Sequence, residues 1–245
     1  MSMIRKILIF AIVFPSFLPL LAEKPKYQYF GKAYDLNTGK YIYSDNHKEY
    51  YNNGKHTHSE IQYKDANGKV FGSKHIEFDQ NSEVPTFKTV DDRDGYTEGA
   101  DVKGKSVRLY FKRKKEDPLS EKTYTPKSPA VMDGGFDYFV RNNWEPLSRG
   151  ERMSFHFIAP VQLDDYKFAV LKIKDGEWKG RQALYLRLEI DNFLLKQVVK
   201  PFLLVYDVQT RRILQFEGLS NINDENGKSL KVKIVYDYPK DVLEP

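Results

Sequence analysis

Six turn pairs punctuate this sequence, and they restrict its fold more than any other feature: Thr38-Gly39, Asn53-Gly54, Asn67-Gly68, Asp94-Gly95, Asp175-Gly176 and Asn226-Gly227. Asn-Gly and Asp-Gly steps tolerate the positive φ angles of tight hairpins, so the runs between them are expected to pair antiparallel. These runs are aromatic and β-branched: Tyr27 to Leu36, Tyr41 to Tyr51, Ser59 to Lys64, Val70 to Phe78, Val107 to Arg113, Arg152 to Ile158, Tyr166 to Ile173, Ala183 to Ile190, Phe202 to Tyr206, Arg212 to Phe216 and Leu230 to Tyr238. About eleven strands are more than one flat sheet holds without curling.

Alternation assigns faces to the strands. Leu184, Leu186, Leu188 and Ile190 oppose Tyr185, Arg187 and Glu189, and Val232, Ile234, Tyr236 and Tyr238 alternate with Lys231, Lys233 and Asp237, so these strands have one wet face. Phe202 to Tyr206 is apolar on both sides, and Tyr166, Phe168 and Val170 oppose Ala169, Leu171 and Ile173. Those two strands should be covered twice.

The cover is predicted from the one strongly helical stretch, Met132 to Gly150. Asp133 is placed to cap it, and Phe136, Phe139, Val140, Trp144 and Leu147 recur at helical spacing. Asp137 and Arg141 form an i,i+4 pair on the opposite, wet side, Pro146 ends regular helix near Glu145, and Gly150 turns the chain. A second short helix is expected from Asn192 to Val199. The expected fold is therefore mainly β: a curved antiparallel sheet, half-barrel or open barrel, wrapped around a short central amphipathic helix near residues 134–147. Its core should be weighted to the C-terminal half, with the Tyr-rich N-terminal strands extending or flanking the sheet.

At the N-terminus, Arg5 and Lys6 precede an apolar run broken by Pro15 and Pro19, with the small residue Ala22 at its end. This is the pattern of a cleaved secretory signal, too short for the ~20 residues of a membrane span. Residues 1–22 are read as signal peptide and 23–245 as one domain, bacterial and periplasmic or secreted. The chain contains no cysteine, which excludes a disulfide framework, a thiolate metal site and a lipid-modified cysteine. Setting Arg5 and Lys6 aside leaves 37 basic residues against 34 acidic ones. That near-neutral balance gives no basis for nucleic-acid binding, and the run Lys112-Arg113-Lys114-Lys115 reads as a solvated strand end.

Catalytic chemistry is not legible in the residues. Gly218-Leu219-Ser220-Asn221-Ile222 lacks the second glycine of a nucleophile elbow. His56-x-His58 would place two imidazoles on one face of a strand, but no zinc spacing accompanies them, and solvated histidines are the plainer account. The acidic stretch Asp91 to Glu98 misses the register of a calcium loop and reads as a turn salt-bridged by Arg93. No metal, cofactor or catalytic residue is assigned. The candidate ligand-binding residues are Phe136, Phe139, Val140, Asn143 and Trp144, with Asn143 as the polar group inside the sheet.

Two stretches carry resemblances. Glu49 to Lys55 and Tyr63 to Gly72, each with an Asn-Gly-Lys turn, look like the hairpins of MORN-type bacterial proteins, but the spacing does not continue past Phe78. The last 110 or so residues, with Tyr206-Asp207-x-x-Thr210 leading to Leu214 and then Gly218-Leu219-Ser220-Asn221-Ile222, resemble uncharacterised exported bacterial proteins of the DUF3108 type. More loosely they resemble the half-barrel carriers that move lipoproteins and lipids across the periplasm. The resemblance implies a fold and an apolar cavity, not an activity. The expected function is a non-enzymatic periplasmic protein that binds a hydrophobic ligand or lipid-bearing partner in the sheet concavity. The alternative is a structural or protein-interaction module of the cell envelope whose concavity the helix fills.

Overall fold

The computed structural model describes residues 23–192, 200–224 and 227–243. The expected signal peptide and all but the first residue of the expected helix from Asn192 to Val199 lie outside the described residues. Eight strands run as an antiparallel meander: β1 (Tyr27–Asp35), β2 (Tyr41–Asn52), β3 (Lys55–Asp65), β4 (Val70–Glu77), β5 (Thr86–Asp91), β6 (Tyr96–Lys103), β7 (Ser106–Lys112) and β8 (Ser120–Tyr124). There follow β9 (Ala130–Val131), helices α1 (Gly135–Asn142) and α2 (Trp144–Ser148), β10 (Met153–Ala159) and a 3-10 turn at Pro160–Gln162. The chain finishes with β11 (Asp164–Trp178), β12 (Arg181–Ile190), β13 (Phe202–Asp207), β14 (Ile213–Asn223), β15 (Ser229–Asp237) and α3 (Lys240–Leu243).

All fifteen strands belong to one sheet, ordered β8 to β1, then β15 down to β9. Every pairing is antiparallel except that of β9 with β10. The sheet is not closed, because no backbone ladder joins β8 to β9. Its outermost strands are nevertheless joined by residues 125–129 alone, a span of roughly 20 Å at full extension. The sheet must curl to bring them that close. Lys122 of β8 pairs with Asp164 of β11 at 3.2 Å, and the 3-10 turn rests on β6 and β7, so side chains hold the two edges together.

Most predicted turns form. Asn53 and Gly54 both take positive φ, 50° and 79°, in a two-residue turn between Asn52 and Lys55. The Asp175-Gly176 turn does not form. β11 continues through it to Trp178, and Lys179-Gly180 turn instead, at φ 48° and 83°. The longer strand is favoured by Trp178, whose ring packs against the outer-face cluster of Ala183, Val205 and Leu214 and whose Nε1 donates to Gln215 at 3.3 Å. A bulge at Ile173 leaves that side chain half exposed, so the doubly covered face expected there is incomplete.

Strands β5, β6, β8 and β9 are not apparent from the sequence pattern. In β5 and β6 the inward row carries Thr89, Asp91 and Glu98 beside Phe87, Ala100 and Val102. Acids in an inward row read as loop, and here the cations of Arg93 and Lys74 lie beside Asp91 and Glu98 respectively.

The predicted helix is two helices. Asp133 does not cap it: the residue sits at φ 45° and its Oδ2 is engaged by Lys74 at 2.6 Å, and Gly134 takes the N-cap position. Gly135 follows because an added Cβ would stand 2.2 Å from the Glu83 carbonyl oxygen. The break falls at Asn143, not Pro146, which sits in the first turn of α2, where its missing N–H costs nothing. Gly150 turns the chain as expected, at φ 89°.

The apolar stripe of the helices, Phe139, Val140, Trp144 and Leu147, packs with Val131, Phe155, Val170, Leu184, Leu186, Leu204 and Tyr206 of β9 to β13, while Tyr138 of α1 packs on Phe78 at the edge of the other cluster. The larger cluster lies elsewhere and corrects the expected weighting: Tyr43, Tyr63, Phe71, Ile76, Phe87, Val102 and Leu109 of the meander meet Met132, Ile158, Val232 and Ile234. The N-terminal strands are thus core strands, whose tyrosines bury their rings and find partners for their hydroxyls, as Tyr43 does with Ser220 at 2.7 Å. The outer face of β12 to β14 is covered by Trp178, Tyr185 and Leu243 of α3.

Candidate functional site

Between the polar side of α1 and the ends of β1, β2 and β15 lies a tyrosine-rich polar cluster centred on an ion pair. Glu49 and Arg212 face each other bidentately, at 2.9 Å and 3.0 Å, and both are buried. Tyr29 and Tyr51 complete the carboxylate's set of four donors, at 3.0 Å and 3.3 Å. The guanidinium lies over the rings of Tyr27, Tyr29 and Tyr238, 5.0 to 5.8 Å from their centroids. Burial alone would raise the Glu49 pKa. The hydrogen bonds and charge of Arg212 outweigh it and hold the carboxyl at about 2.

Register explains the convergence. Tyr27, Tyr29 and Gly31 face inward on β1 opposite Glu49, His47 and Asp45 of β2, while Tyr236 comes opposite Gly31 from β15. Gly31 is required there. Its N–H donates to Asp45 Oδ1 at 2.7 Å, and a Cβ would collide with the same oxygen. His47 stacks on Tyr29 at 4.6 Å.

Around the pair, Tyr27, Tyr51, Asp137, Tyr138 and Arg141 are half-buried. Tyr27 and Tyr51 meet edge to face at 5.4 Å, and the Lys26 ammonium lies 5.0 and 4.8 Å over their rings. From α1, Tyr138 bonds His56 Nδ1 at 2.9 Å, and Arg141 is ion-paired to Asp137. The side opposite the apolar stripe is therefore not the expected wet face: the Arg141 and Asp137 side chains are 27% and 26% exposed, and the Arg141 charge acts on Glu49, Tyr51, His56 and Tyr206. Asp137 Oδ1, Arg141 Nε and Tyr206 Oη are buried without a hydrogen-bond partner among the described residues.

The two histidines of His56-x-His58 go to different neighbours. Thr57 is an extra residue in β3, because Tyr50 pairs with His58 and Tyr51 with His56. This bulge turns His56 onto Tyr138 and Phe78, while His58 stacks on Tyr50 at 4.3 Å. Burial drives the His56 pKa down to about 4, so the ring is neutral at neutral pH. No group of three His, Asp or Glu residues suited to a metal ion occurs among the described residues.

The residues proposed from sequence lie elsewhere. Phe139, Val140 and Trp144 are 3%, 0% and 5% exposed in the packed cluster against β10 to β13, and Phe136 borders it beside Phe155. Asn143 stays local, donating to the Phe139 carbonyl at 2.8 Å, and so closes α1 instead of placing a polar group inside the sheet. Two shallow hollows occur among the described residues, about 250 Å³ beside Arg181 and Asp207 and about 240 Å³ on the outer face around Phe30, Asn46 and Gln62. Neither touches the helices. Ser220 is a buried strand residue bonded to Tyr43, not the nucleophile of an elbow. Asp91 is held by Arg93, as expected of the salt-bridged turn. Sequence reasoning misses these residues because they converge from five distant segments; the visible signals are the tyrosine density before Phe78 and the Asp137–Arg141 pair.

Comparison with protein-family models, curated proteins and solved structures gave no match. No helix among the described residues is long and apolar enough to cross a membrane. The outer face of β1 to β4 carries Gln28, Lys32, Asn46, Lys48, Glu60, Gln62, Lys64 and Glu77 in place of the apolar band of a lipid-facing barrel.

A second polar cluster lies in the larger core. Lys74, 6% exposed, meets Asp133, and Glu98 sits near both and beside Tyr96. Burial raises the Glu98 pKa to about 7, against the opposing charge of Lys74. A carboxyl with a raised folded pKa stabilises the fold while protonated and loses that contribution as pH climbs from 4.5 through 7. Wild type is expected to lose roughly 3 kcal/mol of stability over this window relative to Glu98→Gln. Urea unfolding of both proteins at pH 5 and pH 8 checks it, and parallel pH profiles would refute a buried, titrating Glu98.

Proposed function

We propose that this chain is an exported, non-enzymatic binding protein of the bacterial cell envelope that works through the tyrosine-rich cluster beside α1. In this reading the curled sheet wraps around α1 and α2, which serve as filling on one side and border that cluster on the other. The observation that carries it is the division of α1: its apolar stripe is packed against the sheet, while Asp137, Tyr138 and Arg141 lie half-buried beside Glu49 and Arg212.

Of the two functions expected from sequence, this favours the interaction module over the hydrophobic carrier, because a carrier needs free volume beside Trp144, where the ring is 5% exposed. Export rests on residues 1–22, whose basic start, apolar run and Ala22 suit cleavage before Glu23.

Expression of the full chain in a Gram-negative host, followed by N-terminal sequencing and native mass spectrometry of the periplasmic fraction, tests the proposal. The expected species begins at Glu23 and has the mass of the bare polypeptide. Stoichiometric phospholipid on the purified protein would restore the hydrophobic carrier, and full-length protein behaving as an integral membrane species would reject export as read here.

A further inference from the structure

Lys74, Thr89 and Glu98 stand side by side in one inward row, because Lys74 pairs with Thr89 across β4 and β5, and Thr89 with Glu98 across β5 and β6. All three are buried. Asp133 meets this row from the segment before α1, its Oδ2 2.6 Å from the Lys74 ammonium, while its Oδ1 accepts from the Gly134 N–H at 2.8 Å. One carboxylate thus ties the sheet to the start of the helix. Asp133 sits at φ 45°, a conformation costly for a residue with a Cβ, and no side chain caps α1 at Gly134, so the grip on Lys74 is what offsets the strain there. We infer that Lys74, Asp133 and Glu98 form a proton-operated latch on α1: Asp133 is held on Lys74 while Glu98 carries a proton, and the hold slackens when Glu98 ionises.

The argument is one of charge. Two carboxyls share one ammonium, so one acid is balanced and the other must keep a proton or stand as an uncompensated buried charge. Asp133 has the direct contact with Lys74, which leaves the proton to Glu98. No other cation balances it: Tyr96 on β6 and Tyr63 on β3 stay protonated because burial raises both, Asn221 of β14 is neutral, Arg93 pairs with Asp91, and Arg113 acts on Tyr96. Asp45 adds negative charge near Tyr63. Thr89 Oγ1 is buried without a hydrogen-bond partner among the described residues, and a hydroxyl can accept from the acid or donate to the carboxylate. Once ionised, Glu98 attracts Lys74 and repels Asp133 together. The inference is independent of what the tyrosine-rich cluster binds, although α1 carries Asp137, Tyr138 and Arg141 of that cluster and would move them with it.

The test is an NMR titration of the mature chain between mildly acidic and mildly alkaline pH. The Glu98 carboxyl carbon is expected to titrate near pH 7, with the Gly134 and Gly135 amide resonances shifting at the same midpoint. Exchange of the Gly135 and Phe136 amides, corrected for intrinsic rate and measured against amides of β12, should be about tenfold faster on the alkaline side, the equivalent of one pKa unit of coupling. Glu98→Gln, a neutral isostere of the protonated acid, should abolish both responses while leaving those of the histidines. Coupling is reciprocal, so Asp133→Asn, which frees Lys74 for Glu98, should lower the Glu98 midpoint and remove the pH response of the two glycines. Should Glu98→Gln not fold, the shared midpoint in the wild type and the Asp133→Asn shift decide the matter. A Glu98 that titrates with no response at Gly134 and Gly135, a response that persists in Glu98→Gln, or a Glu98 ionised throughout the range would overturn the inference.

Discussion

Arg212→Ala is expected to cost about 3 to 5 kcal/mol of stability, because it strands the Glu49 carboxylate in a buried ring of tyrosines. The loss is large for a domain whose total stability is of order 10 kcal/mol. It should exceed what the pair contributes relative to an apolar substitute. Replacing both partners, with Glu49→Leu and Arg212→Met together, removes the charge and its desolvation cost together, so the double variant should be more stable than Arg212→Ala alone. Urea unfolding of the single and double variants gives the coupling energy directly. A cost below about 1 kcal/mol for Arg212→Ala would mean that water reaches and screens the pair, as at an exposed salt bridge. The pH dependence has a definite sign: Glu49 is held at about 2 when folded, so its contribution is complete above pH 4.5 and is lost as pH falls from there toward 2.

Trp144→Ala should also cost about 3 to 5 kcal/mol, through lost burial and the space left between α2 and the sheet. The ring meets Tyr206 edge to face at 6.3 Å, and Arg211 covers its other side, 5.4 Å from Arg211 Cζ to a ring centroid. No compensating change in retention of an apolar probe is expected, since the ring is already packed in the wild type. Arg141→Ala is not a neutral control. With its ion pair to Asp137 half-buried it should cost about 1 to 3 kcal/mol, while Arg149→Ala, on an exposed side chain, should stay within about 0.5 kcal/mol. Urea unfolding with an apolar fluorescent probe measures all three. A small loss in Trp144→Ala, together with probe binding by the wild type, would return the helix stripe to the role of a ligand cavity.

Local physics makes much of this chain legible. Asn-Gly and Asp-Gly steps at positive φ set hairpins wherever strand packing does not overrule them, and period-two alternation assigns the inward rows of β12 and β15 correctly. The apolar stripe from Phe139 to Leu147 is right about which residues are buried and silent about what they are buried against. Asn143 breaks the helix one turn before the proline because its side chain bonds the Phe139 carbonyl, a contest between capping and continuation that composition does not decide.

What the tertiary structure alone decided follows from distance along the chain. Glu98 reads as loop until Lys74 and Asp133, far apart in sequence, are placed beside it. The bulge at Thr57 sends His56 and His58 to separate neighbours and undoes a metal site that spacing allowed. The polar cluster joins Glu49 to Arg212 across 163 residues and sets the polar side of α1 beside them. By itself the sequence determined most of the strands, their inward rows and the apolar stripe, since those depend on neighbours two to four residues away. Which polar residues meet depends on how the sheet curls, and that was decided only in three dimensions.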